Sequence, residues 1–439
     1  MSTRASVSLW GTKIGAVLWG DRGYGIFEYT PEFIEFDIEV APFTMPARPG
    51  PIDFPGLSKD TFKGLPGMLS DSLPDKFGNL LIDQWLAAQG RDAASFNPVE
   101  RLCYTGNRGM GALEYTPDGG PKRNRSRKIE IEPLVDLANR VLSQRAAVGG
   151  TLAGQDDHKD LEDILVIGTS AGGARAKAVI AWNEKTGEFR SGQVKADPGF
   201  TQWLLKFDGV DENSDKELKD PKGFGRMEYA FSELARDADV TMSRCRLHEE
   251  GGRAHFMTKR FDRTDDGDKL HMQSLGALRH FDFNVPQGYS YEQAIETIRA
   301  LRLPQEDVVE QVRRAFLNLA IRNQDDHVKN IAFLMDRDGQ WALSPAFDVT
   351  YAYNPSGPWT AKHQMTLNGK ADGFTTEDLM DFGRFADMRL RDIRDLIGQI
   401  GDALTRWDQH AEAAGVPEDL VRRSRNGFRW ELFGKKRPS

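Results

Sequence analysis

The chain has 439 residues, 39% of them hydrophobic and 28% charged, with a formal net charge of −8. That length holds two or three units of ~150 residues, and the composition is that of a folded chain with a sizeable core rather than of a disordered one. The acidic balance excludes a surface built throughout for nucleic acid, which needs a concentrated positive field.

Cys103 and Cys245 are far apart and lack metal-ligand spacing, so neither a disulfide framework nor a zinc site is expected. The opening MSTRASVSLWGTKIG lacks the continuous apolar stretch of a secretory signal, and no apolar run reaches the ~18 residues of a membrane span. A soluble, cytoplasmic protein without membrane association is expected.

Residues 5–45 alternate apolar and polar positions in short runs (VSLWG, GAVLWG, GIFEYT) broken by Gly and Pro, the pattern of short strands and tight turns. DKFGNLLIDQWLAAQG then predicts a helix with Leu80, Leu81, Trp85 and Leu86 near helical spacing and Gly90 as its stop. TPDGGPKRNRSRKIE, from Thr116 to Glu130, carries a basic run that reads either as a solvated linker or as a local nucleic-acid patch. A boundary placed there, with a second after residue 275, divides the chain into 1–125, 126–275 and 276–439.

The middle unit is expected to be β-rich. ILVIG (Ile164–Gly168) and AVIAW (Ala178–Trp182) flank a segment of small residues, NEKTGE turns the chain, and QWLLKF (Gln202–Phe207) is a further strand. An acidic loop, the helix RMEYAFSELARD and a strand candidate from His255 to Arg263 follow. The last third is mostly helical. Ser290 and Gln293 have capping-box spacing, and a helix from about Pro304 has an acidic first turn and buries Val308, Val312, Phe316 and Leu319. That helix leads into RNQDDHVKN (Arg322–Asn330), after which IAFLM, DRDGQ and WALS predict a hairpin ending just before Pro345 and Asp348.

Phosphoryl transfer requires a backbone cradle for phosphates, a lysine, carboxylate and amide oxygens for Mg²⁺, and a carboxylate that orients the attacking hydroxyl. Asp325 and Asn330 have the D-x-x-x-x-N spacing of a kinase catalytic loop, and a hairpin after them would bring Asp348 back to share a metal with Asn330. Asp326 and Lys329 read as ordinary solvated residues. GTSAGGARAK (Gly168–Lys177) is rich in small residues that admit close backbone approach to phosphate, although it is not a Walker A loop and a plain hairpin connection has the same look. Lys206 sits on an apolar strand, where it either has a carboxylate partner or snorkels to water. Glu228 on the following helix is the candidate partner. Gly-rich loop, strand lysine, helix glutamate, hinge-like strand and helical lobe with D-x4-N and a later Asp follow the layout of a protein kinase. The expected fold is therefore α+β and protein-kinase-like, with a β-rich N-lobe and an all-α C-lobe, preceded by a small β-rich N-terminal subdomain.

The motifs LPGMLSDSLPDKFGNLL (Leu65–Leu81), GTSAGGARAKA, QWLLKFDG, KRFDR (Lys259–Arg263), RNQDDHVKN and LSPAFDVTYAYN together resemble the HipA family, the serine/threonine kinase toxins of bacterial HipA-HipB toxin-antitoxin modules. The resemblance implies Asp325 as catalytic base, Asn330 and Asp348 as Mg²⁺ ligands, and Lys206 on ATP phosphates. It places Phe261 at the hinge near adenine, with Lys259 beside it where better-known relatives have a glutamate, and His327 close to the nucleotide. Ser170, Ala171, Gly172, Gly173 and Ala174 would line the phosphates through their backbone. Ser170 matches a serine whose autophosphorylation silences the kinase, since a charge of about −2 there would be repelled from the phosphate site.

The implied substrate is an aminoacyl-tRNA synthetase. The implied partner is a HipB-like helix-turn-helix antitoxin, through which operator DNA would mainly be reached. Two other readings are a kinase-like phosphotransferase acting on a small molecule or lipid, and a catalytically idle antitoxin-binding co-repressor.

Overall fold

The computed structural model describes residues 3–120, 128–144, 175–192, 198–210 and 222–438. The strand expected at Ile164–Gly168 lies outside these, as do Ser170 to Ala174. The N-terminal sheet is formed by β1 (Thr3–Leu9), β2 (Thr12–Trp19), β3 (Gly25–Tyr29) and β4 (Leu113–Thr116) in the order β3-β2-β1-β4. Its alternation places Ala5, Val7 and Leu9 on one face, against Val99 and Leu102 of the helix Pro98–Thr105.

The predicted helix forms over Lys76–Ala88. Asp75 caps it by accepting from the Gly78 N–H at 2.6 Å, and Gly90 follows with φ +70°. Its buried face, Phe77, Leu81 and Ile82, does not join the N-terminal sheet's core. It packs with Leu134, Leu137, Ala178, Trp203, Leu205 and Met257 in the core of the middle sheet. That sheet contains β5 (Lys177–Trp182), β6 (Phe189–Ser191), β7 (Thr201–Lys206), β8 (Cys245–Glu250) and β9 (Arg253–Lys259) in the order β6-β5-β7-β9-β8, all neighbours antiparallel. Strand β9 ends at Lys259 rather than at Arg263, because Arg260 and Asp262 turn inward to a buried ion group. The helix Phe224–Asp237 crosses this sheet, with Met227, Ala230, Phe231 and Leu234 facing the third and largest core.

The second lobe is mostly helical, and Phe333 and Met365 from its short strands share that core. Ser290 and Gln293 form the predicted capping box at the head of Tyr291–Ala300, with bonds of 3.3 and 2.9 Å. The helix Gln305–Ile321 buries Val308, Val312, Phe316 and Leu319 and ends where Arg322 turns left-handed at φ +52°. Phe231 stacks on Trp407 at 4.2 Å, joining the lobes; burial of such a side chain contributes about 1.5–3 kcal/mol. The lobe's strands are few. The chain reaches it through β10 (His271–Ser274), carries a two-residue β11 (Tyr289–Ser290), and forms the predicted hairpin from β12 (Ala332–Met335) and β13 (Trp341–Leu343). β10 pairs with β12, and β11 with β14 (Met365–Thr366).

Candidate active site

Lys206 closes β7 and is 8% exposed. Its Nζ is paired with Glu228 on the crossing helix and with Asp348 beyond the hairpin. Burial works against the ammonium, but Asp348 and Glu228 outweigh it and raise the Lys206 pKa. The same pairing acts on Asp348. Burial pushes its carboxyl up, yet Lys206, then Lys177 and Arg175, hold it at about 2. Snorkelling is thereby ruled out for Lys206, whose ammonium is enclosed by carboxylates.

Two further charges enter that cluster from positions to which the sequence reading gave no role. Lys177 opens β5 directly opposite Lys206 and forms a buried ion pair with Asp75 at 3.3 Å. Burial lowers the Lys177 pKa and raises that of Asp75. Arg175 lies 3.5 Å from Glu228. The signal for Lys177 was available in the sequence, since a lysine alternating into the apolar AKAVI needs a buried partner as Lys206 does. Asp75 gave none beyond its capping position.

RNQDDHVKN leaves the helix Gln305–Ile321 as a compact loop. Asn330 donates its Nδ2 to the Asp325 carbonyl at 2.8 Å without engaging its Oδ1, and the His327 N–H returns to the same carbonyl at 3.0 Å. The Asp325 side chain is exposed. Desolvation by the surrounding protein chiefly raises its pKa, with Asp348 and Asp326 adding and His327 and Arg175 opposing. The hairpin returns the chain so that Asn323 Nδ2 reaches the Asp348 carbonyl at 3.1 Å. Asp325 and Asp348 thus share one electrostatic environment, with Asn330 bonded to the loop beside them.

Asp326 is not solvated. It is 3% exposed and accepts three hydrogen bonds, from Tyr291 Oη, His363 Nδ1 and the Gln364 N–H. Lys329 is half-buried, 4.0 Å from Asp71 and over the Phe283 ring at 5.1 Å. His327 sits against Phe283 at 5.8 Å. Phe261 lies 5.5 Å from Phe347, the neighbour of Asp348. The Lys259 ammonium is paired with the exposed Asp265.

Leu65–Asp75 crosses from the N-terminal sheet to both lobes. Gly67 N–H donates to His280 Nε2 at 2.9 Å, and Asp71 accepts from Ser274 N and Oγ at 2.7 and 3.0 Å before Asp75 reaches Lys177.

A β-lobe whose buried lysine is clamped by a helix glutamate, set over a helical lobe presenting aspartates on its connecting loops, defines a kinase-like two-lobed protein. The sequence matches the HipA-like C-terminal domain over residues 169–411 and the HipA N-terminal domain over residues 5–116, and the chain belongs to the HipA family. Its structure is similar to HipA of Shewanella oneidensis MR-1, solved with HipB and its operator DNA. The TM-score is 0.65 and the identity 17%, with 98% of this chain and 100% of that one covered. The Helicobacter pylori proinflammatory kinase CtkA overlaps with a TM-score of 0.32 and 12% identity, over 51% of this chain and 90% of that one. No curated protein matches the sequence. None of the described helices is long and apolar enough to cross a membrane.

Proposed function

We propose that the chain is an ATP- and Mg²⁺-dependent serine/threonine protein kinase acting as the toxin of a toxin-antitoxin pair. The observation that carries this reading is the clamp on Lys206, a buried ammonium held between Glu228 and Asp348 beside the exposed Asp325. Lys206 is fixed to meet phosphate oxygens. Asp325, raised in basicity and open to solvent, is suited to accept the proton of an incoming hydroxyl. Asp348, ionised at any physiological pH, and the amide oxygen of Asn330 are the donors that suit Mg²⁺, which binds through one or two such groups with phosphate oxygens completing its shell. When bound there, such an ion would supply neutralisation of charge on the transferred group.

The acceptor is a serine of an aminoacyl-tRNA synthetase, so that phosphorylation halts translation, and Ser170 is the site of self-modification. The partner is a HipB-like antitoxin that carries the complex to operator DNA, in keeping with the acidic charge of this chain. Support for the partner comes from the family and from the Shewanella complex. Phosphoproteomics of cells expressing wild type or Asp348→Ala tests the proposal. A phosphosite on one or a few synthetases and phospho-Ser170 are expected only with wild type. If no site depends on Asp348, the kinase reading is withdrawn.

A further inference from the structure

The segment between Asp348 and β14 is pinned at both ends by residues on either side of Asp325, Arg322–Gln324 at one end and Asp326 at the other. At its start, Asn323 Nδ2 holds the Asp348 carbonyl at 3.1 Å, Ala352 N–H donates to the Arg322 carbonyl at 3.1 Å, and the Gln324 N–H donates to the Ala352 carbonyl at 3.3 Å. At its end, Asp326 accepts from His363 Nδ1 at 2.7 Å and from the Gln364 N–H at 2.8 Å. Between these pins the chain is exposed from Asn354 to Ser356 and again at Pro358 and Trp359.

The far pin is a built device. His363 is fully buried, and its other nitrogen, Nε2, faces the Arg429 guanidinium at 2.9 Å. Arginine only donates, so Nε2 is an acceptor, the proton sits on Nδ1, and His363 donates to Asp326. Tyr291 Oη receives a bond from Asn318 Nδ2 at 3.1 Å and gives its own to Asp326 at 2.7 Å. Asp326 therefore faces donors on three sides, which only an acceptor-only carboxylate satisfies.

We propose that Asp326 is a positioning residue: through His363 and Gln364 it clamps the Asp348–Gln364 segment to the catalytic loop and holds it in its working arrangement without any covalent modification. In many kinases a phosphate added to the corresponding stretch does this by pairing with arginine. Here the anion is supplied by the loop itself. The catalytic part of the inference rests on the kinase reading; the clamp does not.

Asp326→Asn keeps the shape but sets an amide N–H₂ against donors. Hydrogen exchange of the full chain should then show faster exchange confined to residues 349–364, with protection of the helix Gln305–Ile321 retained. ATP affinity should stay within twofold, while phosphoryl transfer falls about 100-fold, the scale of an ångström-sized misplacement. Wild-type exchange and wild-type turnover in this variant would overturn the clamp. If the wild-type protein transfers no phosphate at all, the kinase reading fails, and the exchange comparison still decides the clamp alone.

A second pair guards against a variant that does not fold. His363→Asn places an amide where Nδ1 stands and should keep the segment protected, whereas His363→Gln places it at Nε2 and should release it. Equal protection in the two would also overturn the proposal.

Discussion

Lys177 and Lys206 stand directly opposite one another on β5 and β7, two like charges on one face of adjacent antiparallel strands. Alone, such a pair destabilises a sheet. Three carboxylates from distant parts of the chain offset it: Asp75 from the helix cap, Glu228 from the crossing helix and Asp348 from beyond the hairpin. With Arg175 beside Glu228, three cations and three carboxylates balance one another in this cluster.

Breaking the clamp on one side strands its partner. Glu228 is 3% exposed, so Lys206→Met should cost about 3–5 kcal/mol, as removal of one member of a buried pair does. Lys206→Met with Glu228→Leu should recover much of that loss. Urea unfolding of both singles and the double variant measures the coupling, and strictly additive losses would show that the pair is not coupled.

Asp325→Asn removes the proposed base and leaves the fold untouched, because the side chain is exposed and makes no structural bond. Phosphoryl transfer should fall about 10²–10⁴-fold, with unfolding midpoint and nucleotide affinity unchanged. Single-turnover transfer of labelled phosphate reads this directly. Activity within a few-fold of wild type would remove Asp325 from the chemistry.

Gly67 is seated where no Cβ fits, since one would run into the Ala277 carbonyl oxygen and come within 2.7 Å of the His280 ring. Gly67→Ala should lift the Leu65–Asp75 segment, destabilise the protein by about 1–3 kcal/mol, and weaken nucleotide binding by displacing Asp75 from Lys177. A variant as stable as wild type, with wild-type affinity, would mean that this segment does not brace the cluster.

His255 and His271 are buried, and burial first of all lowers both pKa values to about 4. Both stay neutral in the fold but charge in the unfolded chain near 6.5. The unfolded state therefore binds more protons between those values, so stability is complete above about pH 6.5 and is lost as pH falls toward 4. Each group contributes on the order of 3 kcal/mol at most. Unfolding free energy measured from pH 7.5 to 4.5 should decline across that window, and His271→Gln should flatten the slope.

Features set by neighbours in sequence were legible from it. The Ser290 capping box, the hairpin before Pro345, the helix after Asp75 and the Lys206–Glu228 pair each follow from a local pattern, or from a charge placed where it needs a partner. Asp326 was misread because its burial is made by Tyr291, His363 and Gln364, none of them near it in the chain. Asp75 was passed over for the same reason, although Lys177 within AKAVI did call for a buried partner. The pair exists only once the helix Lys76–Ala88 leaves the N-terminal sheet and joins the core of the middle one. Among seven charged or amide residues in nine, the lone buried carboxylate of RNQDDHVKN carries no mark of its own.

Asp262 is fully buried just past β9, between Arg260 and Arg263 and bonded to the Gly111 N–H at 2.7 Å. Both arginines also reach the carbonyl of Gly109, at 3.2 and 3.1 Å. Gly109 and Gly111 lead straight into β4 of the N-terminal sheet, and Arg260 follows directly on the strand that passes Lys206. In mechanical terms the N-terminal sheet is a lever arm fastened to the end of β9 through this buried ion group. A load applied to its outer face, such as a bound protein exerts, would be delivered to β9, the strand paired with the one that carries Lys206.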